Sequence, residues 1–471
     1  MVFSRLFFIY LFFPICFLCY FATKKTSYRN AVLIVFSLLF YACGDISFLW
    51  LVVASALVNF VLGRGIDKFR DKAPAKAFLA LGLVLNLGTL VGFKYTGFFI
   101  ENLNNWFSLS IPVPDLPLPL GISFFTFRTV SYLIDCAWGK VKAERNFFTF
   151  LLYVSFFPIT ISGPIARYET MQADLHQRRV SADDLSIGFG RIAVGLGKKV
   201  ILADRLSGIV DQFLGNDFTT QTTLGVWYGV ILYALQMYFD FSGYSDMAIG
   251  MGRCLGFHFN ENFRHPYCCT SITDFWRRWH ISLGSFFRDY VYIPMGGNRR
   301  HQAFNILVVW FLTGMWHGAS WNFILWGLYF GVIVMLEKYT LLRVHDRIPR
   351  FVLHVYSLLL VIIGWGIFYF DNFDSMLIFF NAFIGQSAAL TDFVSQAAIT
   401  DNFWLWVMAI IFCMPLRSTA SALLARMLGR SSVLHGGAVL CVRVCISLVM
   451  LMLSVALLVG ATNNAFIYTR F

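Results

Sequence analysis

The chain has 471 residues, 58% of them hydrophobic, 18% aromatic and only 13% charged, where an ordinary soluble domain carries about a quarter charged residues. No polar stretch is long enough to bury a core of its own, which excludes a soluble globular domain and points to a lipid-embedded chain. A net charge of +12 would raise nucleic acid as a partner of a soluble protein; here the basic residues fall in short segments between apolar runs, the pattern of cytoplasmic loops, and no nucleic-acid partner is expected.

The apolar runs lack a polar face: Leu6–Phe21, Phe48–Leu62, Ala77–Phe93, Thr223–Phe239, Phe351–Phe370 and Val439–Val459. A spanning helix takes about 20 mainly apolar residues, and lipid offers the backbone no water, so the runs are predicted to be helical. They lack the period-two alternation of a membrane barrel. The expected fold is all-α: a polytopic membrane protein with about ten or eleven transmembrane helices plus re-entrant or interfacial ones. The first run has no small-x-small cleavage site and a second follows at once, which marks a membrane helix rather than a cleaved signal. Segments 23–30 (Lys24, Lys25, Arg29), 64–76 and 139–146 carry net charges of +3, +3 and +2, while the intervening turns carry Asp45, Glu101 and Asp115. This alternation puts the N-terminus outside and the basic loops in the cytoplasm. After residue 163 it blurs.

Three later regions stand apart. Residues 163–222 are polar and of mixed charge, and Ile187–Ala203, with Gly188, Gly190, Gly195 and Gly197, is too short and glycine-rich for a comfortable span. Residues 238–301 combine acids, arginines and aromatics; from Arg264 to His301 six arginines oppose two aspartates. A single Arg or Asp at the bilayer centre costs about 2.5–3.5 kcal/mol, so this region is expected as interfacial or re-entrant helices lining a cavity. Phe304–Gly327 is apolar around His317, with Gly314, Gly318 and Gly327 permitting a turn or close helix packing. The ten cysteines show no four-ligand zinc spacing and read as small apolar helix residues. No internal sequence repeat is visible.

Histidine is the usual proton carrier near neutral pH, and an ionisable residue at membrane depth is a functional candidate. His317 lies between Trp316 and Gly318, with Trp316 and Trp321 placed to wall a narrow tunnel; the other reading is an interfacial histidine bonded to a carbonyl. His280 follows Trp276, Arg277 and Arg278; on a helix Arg277 and His280 are three apart and Asp274 and Arg278 four apart, a donor-rich face that is equally a solvated interfacial helix with tryptophan anchors. Asp240 and Asp246 bracket Phe-Ser-Gly-Tyr-Ser and bind or structure the cavity. Arg288 and Asp289 read as an ion pair, and Gly296-Gly297-Asn298 as a tight turn. P-loop, dinucleotide, zincin and G-x-S-x-G signatures are absent, so no bound cofactor or metal is expected.

Two longer motifs carry a resemblance. Asp274-Phe-Trp-Arg-Arg-Trp-His280, continued by Phe287-Arg-Asp-Tyr-Val-Tyr-Ile-Pro-Met-Gly-Gly-Asn298, and Gly314-Met-Trp-His317-Gly-Ala-Ser-Trp321 are similar to the two signatures of the AlgI branch of the membrane-bound O-acyltransferases. Tyr238–Asp246, Phe156–Pro164 and the opening Met1-Val-Phe-Ser agree. The likeness runs to about residue 340 and is densest over 119–340; one departure is Met315, where the family often has Leu.

The resemblance implies one integral membrane domain over the chain, a helical bundle around a central tunnel, in the bacterial inner membrane. An acyl thioester, acetyl-CoA or an acyl carrier, would enter from the cytoplasm and an extracytoplasmic polysaccharide hydroxyl would receive the acetyl group, with an SGNH-type transferase outside as partner. His317 would be the general base, and His280 would orient the acyl group or donate to the developing oxyanion. Arg277, Arg278 and Arg288 would attract the anionic donor. Both histidines are expected to be neutral, one from its apolar setting and the other from its arginines. D-alanyl transfer to teichoic acid is the alternative within the family. Outside it stand a proton-coupled transporter or flippase and a structural membrane subunit.

Overall fold

The computed structural model describes residues 2–215, 221–387, 389–416, 419, 422 and 433–459; Met1 of the opening motif and 216–220 of the polar segment lie outside them. The described residues are helical, without a strand. Among the described residues, five stretches are long and apolar enough to cross a bilayer: Thr26–Lys68, Ala73–Lys94, Trp321–Arg347, Arg350–Tyr369 and Gly437–Val459. Phe393–Asp401 and Phe403–Phe412, bent by 60°, make a sixth if they act as one span. Phe8–Phe21 and Phe373–Phe383 are shorter apolar helices beside these. Thr26–Lys68 is broken at Asp45 into helices of 20 residues each, Thr26–Asp45 and Leu49–Lys68. Gln302–His317 has 16 residues, about 24 Å of helix, against a hydrocarbon core of about 30 Å.

The chain forms two compact units, one comprising the described residues up to Ile192 with Ser245–Glu261, the other Ala193–Tyr244 with the described residues from Asn262 onward. In the first unit, buried amides join three helices. Asn59 Nδ2 donates to Asn86 Oδ1 (3.0 Å), Asn86 Nδ2 returns a bond to Asn59 Oδ1 (2.7 Å), and Thr129 Oγ1 donates to Asn86 Oδ1 (2.8 Å). With no water to take these groups, such bonds hold membrane helices together. Arg128, fully buried, donates to the Tyr153 and Val154 carbonyls (3.0 and 2.7 Å) at the end of the Phe147–Ser155 helix, where no helical partner remains for them.

In the second unit, Gln302–His317 and Trp321–Tyr339 lie against each other through glycine. A methyl group on Gly327 would collide with the Trp310 carbonyl oxygen and sit 3.1 Å from Gly314 Cα. Gly327→Ala is therefore expected to cost about 1–3 kcal/mol through overpacking. The check is the melting temperature of the purified protein in detergent; an unchanged midpoint would show that this contact does not set the crossing.

The glycine-rich segment is helical without being a candidate span. Ala182–Gly197 continues through a π-helical stretch, Lys198–Ala203, into Asp204–Leu214. Its glycines serve close packing against the Thr223–Cys254 helix: within the second unit a Cβ on Gly243 would lie 2.8 Å from the Gly195 carbonyl oxygen.

Candidate active site

His280 is not part of the arginine-bearing helix. Ile272–Arg278 ends as Trp279 turns extended (φ −101°, ψ 130°), and His280 adopts a left-handed conformation (φ 43°, ψ 52°) before Ile281–Phe287 begins. The break removes the shared face expected for Arg277 and His280: Arg277 is exposed, while His280 is buried at 2% exposure. The chain just upstream runs alongside. Asn262 O accepts from Ile281 N (3.0 Å) and Arg278 O from Arg264 N (2.9 Å). Asn262 Oδ1 lies 3.1 Å from His280 Nδ1. His280 lies outside every candidate span, and burial pushes its imidazole down to about 3, so the ring is neutral at physiological pH. Neutrality was expected, but desolvation produces it rather than neighbouring arginines.

His317 is the last residue of its helix, which stops as Gly318 becomes extended (φ −170°, ψ 162°). At 3% exposure it sits edge-on among aromatic rings: Trp316 at 5.0 Å between centroids, Trp326 at 4.9 Å and Phe368 at 5.2 Å. Trp316 also meets His280, at 5.6 Å, and Phe241 covers His280 at 4.7 Å. One buried indole thus contacts both imidazoles, which lie 37 residues apart in the sequence. Trp276 joins the same cluster through Trp326 (5.3 Å) and Trp310 (4.9 Å). Trp321 opens the next helix and is 41% exposed.

The remaining candidates hold the frame. Asp240 pairs with Lys199 (2.7 Å), which also meets Asp204 (2.8 Å). Asp246, in the first unit, pairs with Arg191 (2.8 Å), which also binds Glu261. Both aspartates thus take cations from the polar segment whose role the sequence left open, and Phe241, next to Asp240, is the residue packed on His280. Arg278 pairs with Asp274 (2.8 Å), as their spacing implies, and Arg288 with Asp289 (2.6 Å). Gly296 and Gly297 have positive φ (108° and 55°) and form the expected turn, in which Asn298 Oδ1 accepts from Tyr292 (2.7 Å), Gln302 (2.7 Å) and Lys338 (2.8 Å).

Residues not singled out from the sequence complete the candidate site: Asn262, Phe241, Trp326, Phe368 and Glu337. Glu337, 1% exposed, accepts from Ile272 N (2.6 Å), Thr273 N (2.8 Å) and Thr273 Oγ1 (2.7 Å), tying the start of the Ile272–Arg278 helix to the one that carries Trp326. A carboxylate near the end of the apolar run from Trp321 was a visible signal; Phe368, one aromatic among many, offered none. Two imidazoles, one of them held neutral by burial, in a water-poor aromatic pocket suit proton transfer to and from uncharged groups. An apolar groove of about 240 Å³ lies elsewhere in this unit; neither histidine lines it.

Comparison with known proteins gives the family. The membrane-bound O-acyltransferase family matches over residues 77–414, beyond the limit near 340 set by the motifs. Similar proteins include the probable alginate O-acetylase AlgI of Azotobacter vinelandii, 40% identical over 382 residues (79% of this chain, 76% of the relative). The peptidoglycan O-acetyltransferase of Helicobacter pylori is 32% identical over 435 residues (84% and 82%). The teichoic acid D-alanyltransferase of Bacillus subtilis is 31% identical over 269 residues (52% and 67%). This chain, a multi-pass membrane protein and an acyltransferase, belongs to the membrane-bound O-acyltransferase family.

Proposed function

We propose that the protein moves acetyl groups from a cytoplasmic thioester, acetyl-CoA or an acyl carrier, through a membrane tunnel toward hydroxyls of an extracytoplasmic polysaccharide, either an alginate-like exopolymer or peptidoglycan. The observation that carries this reading is the contact of Trp316 with both His280 and His317 in a buried aromatic pocket. Its support comes from relatives named for O-acetylation that align over about four-fifths of the chain, against about half for the D-alanyltransferase.

In the reaction His317 takes the proton of the acceptor hydroxyl as its oxygen attacks the thioester carbonyl. The tetrahedral intermediate collapses with cleavage of the C–S bond, and the proton passes to the departing thiolate. His280 orients the acyl group. Trp316, Trp326, Phe368 and Trp276 keep water from the thioester. Arg277, exposed and without an ion pair among the described residues, draws the anionic donor, whereas Arg278 and Arg288 are engaged by Asp274 and Asp289. An SGNH-type transferase outside the membrane receives the acetyl group or passes it on. The direct test offers purified protein labelled acetyl and D-alanyl thioesters with a hydroxyl acceptor. Transfer of acetyl alone supports the reading, and transfer of D-alanine alone replaces it with the teichoic-acid chemistry.

The proposed setting is the bacterial inner membrane with the N-terminus outside. Single cysteines at Lys24 and Lys68 are expected to react with a membrane-permeant reagent only, and cysteines at Asp45 and Glu101 with an impermeant one as well. Labelling of the two basic segments from outside would reverse the orientation.

A further inference from the structure

Asn262 is fully buried, and its side-chain oxygen faces three polar neighbours: Ser282 N at 3.2 Å, Ser282 Oγ at 2.9 Å and His280 Nδ1 at 3.1 Å. A backbone N–H only donates, so the atom facing Ser282 N must be an acceptor, which fixes it as the amide oxygen and excludes the flipped side chain. An imidazole nitrogen beside that oxygen bonds to it only if it bears a proton. The other tautomer would set two lone pairs against each other at 3.1 Å. Ser282 Oγ, 3.4 Å from Nδ1, gives its hydrogen to Asn262 and so also offers a lone pair to this nitrogen.

We propose that Asn262 is a positioning residue that holds His280 in its Nδ1–H tautomer and leaves Nε2 as a hydrogen-bond acceptor. The inference rests on the reading of His280 as part of the acyl-transfer site. It removes one of the two roles the family resemblance gives His280, since a neutral ring so held has no proton on Nε2 for an oxyanion. Nε2 instead takes a hydrogen bond from a substrate hydroxyl or amide. The backbone supports the arrangement: Ile281 N bonds to Asn262 O and keeps the two segments side by side.

The test compares full-length wild type, Asn262→Leu and Asn262→Asp in detergent, following acetyl transfer between about pH 5 and pH 9. Asn262→Leu is expected to lower kcat by about 10–100-fold with little change in KM for the donor, the usual cost of losing a group that orients an imidazole. Asn262→Asp keeps the acceptor oxygen and restores kcat at alkaline pH. Its carboxylate raises the pKa of His280, so activity falls as the pH is lowered and Nε2 becomes protonated. A wild-type rate in Asn262→Leu, or a profile in Asn262→Asp that matches wild type at every pH, would overturn the proposal. Nitrogen-15 spectra of histidine-labelled protein, with the His280 signal assigned by its loss in His280→Asn, give a readout free of activity: a proton on Nδ1 supports the proposal and one on Nε2 refutes it. Should the wild type transfer no acyl group while these spectra show Nδ1–H, the functional reading fails and the tautomer assignment stands.

Discussion

His317→Ala is expected to lower acetyl transfer by about 10²–10⁴-fold, the usual contribution of a positioned general base, while membrane insertion and abundance stay close to wild type. The side chain ends its helix against Trp316, Trp326 and Phe368, and alanine leaves those rings in place. The measurement is turnover with labelled acetyl donor, normalised to folded protein by gel filtration. A folded variant that keeps a tenth or more of wild-type turnover would remove His317 as the base.

The second large effect is a difference between two asparagine variants. His317→Asn keeps a hydrogen-bonding side chain but no basic nitrogen and is expected to be nearly inactive. His280→Asn is expected to retain measurable transfer. The position has φ 43° and ψ 52°, a region that asparagine tolerates better than most residues, so the backbone is not strained. The shorter amide overlays Nδ1 and not Nε2, so it can still donate to Asn262 while a substrate loses the Nε2 contact. Equal and complete loss in both variants would mean that the histidines act as one unit. An active His317→Asn with a dead His280→Asn would exchange their roles and make His280 the base.

The helical class was legible in unbroken apolar runs, and His280, His317 and Trp316 stood out as candidates because ionisable groups set among tryptophans are a local pattern. Asp274–Arg278, Arg288–Asp289 and the Gly296–Gly297 turn were legible for the same reason. What was not legible depends on distant segments. Asp240 and Asp246 were read as binding or structuring the cavity, and the cations that meet them, Lys199 and Arg191, come from a polar segment whose spacing gave no sign of these ion pairs. His280 looked like a helix residue because the arginine-bearing segment has no proline or glycine to mark the break at Trp279. Asn262 lies 18 residues before His280 and meets it only because the chain doubles back along the broken helix. Run length was a weaker guide to spans for a related reason. Apolar runs report burial in lipid or protein alike, and Ile122–Ala137, nearly all buried and carrying Arg128 and Asp135, is apolar largely because protein surrounds it.

The claim that the chain carries an acyl group from one side of the membrane to the other is tested most directly in proteoliposomes of uniform orientation. Labelled acetyl-CoA is supplied only at the face bearing the basic segments 23–30 and 64–76, and the hydroxyl acceptor only at the opposite face. Label is expected on the acceptor with wild type and not with His317→Ala. Label that reaches the acceptor only when donor and acceptor share one compartment would contradict transfer across the membrane.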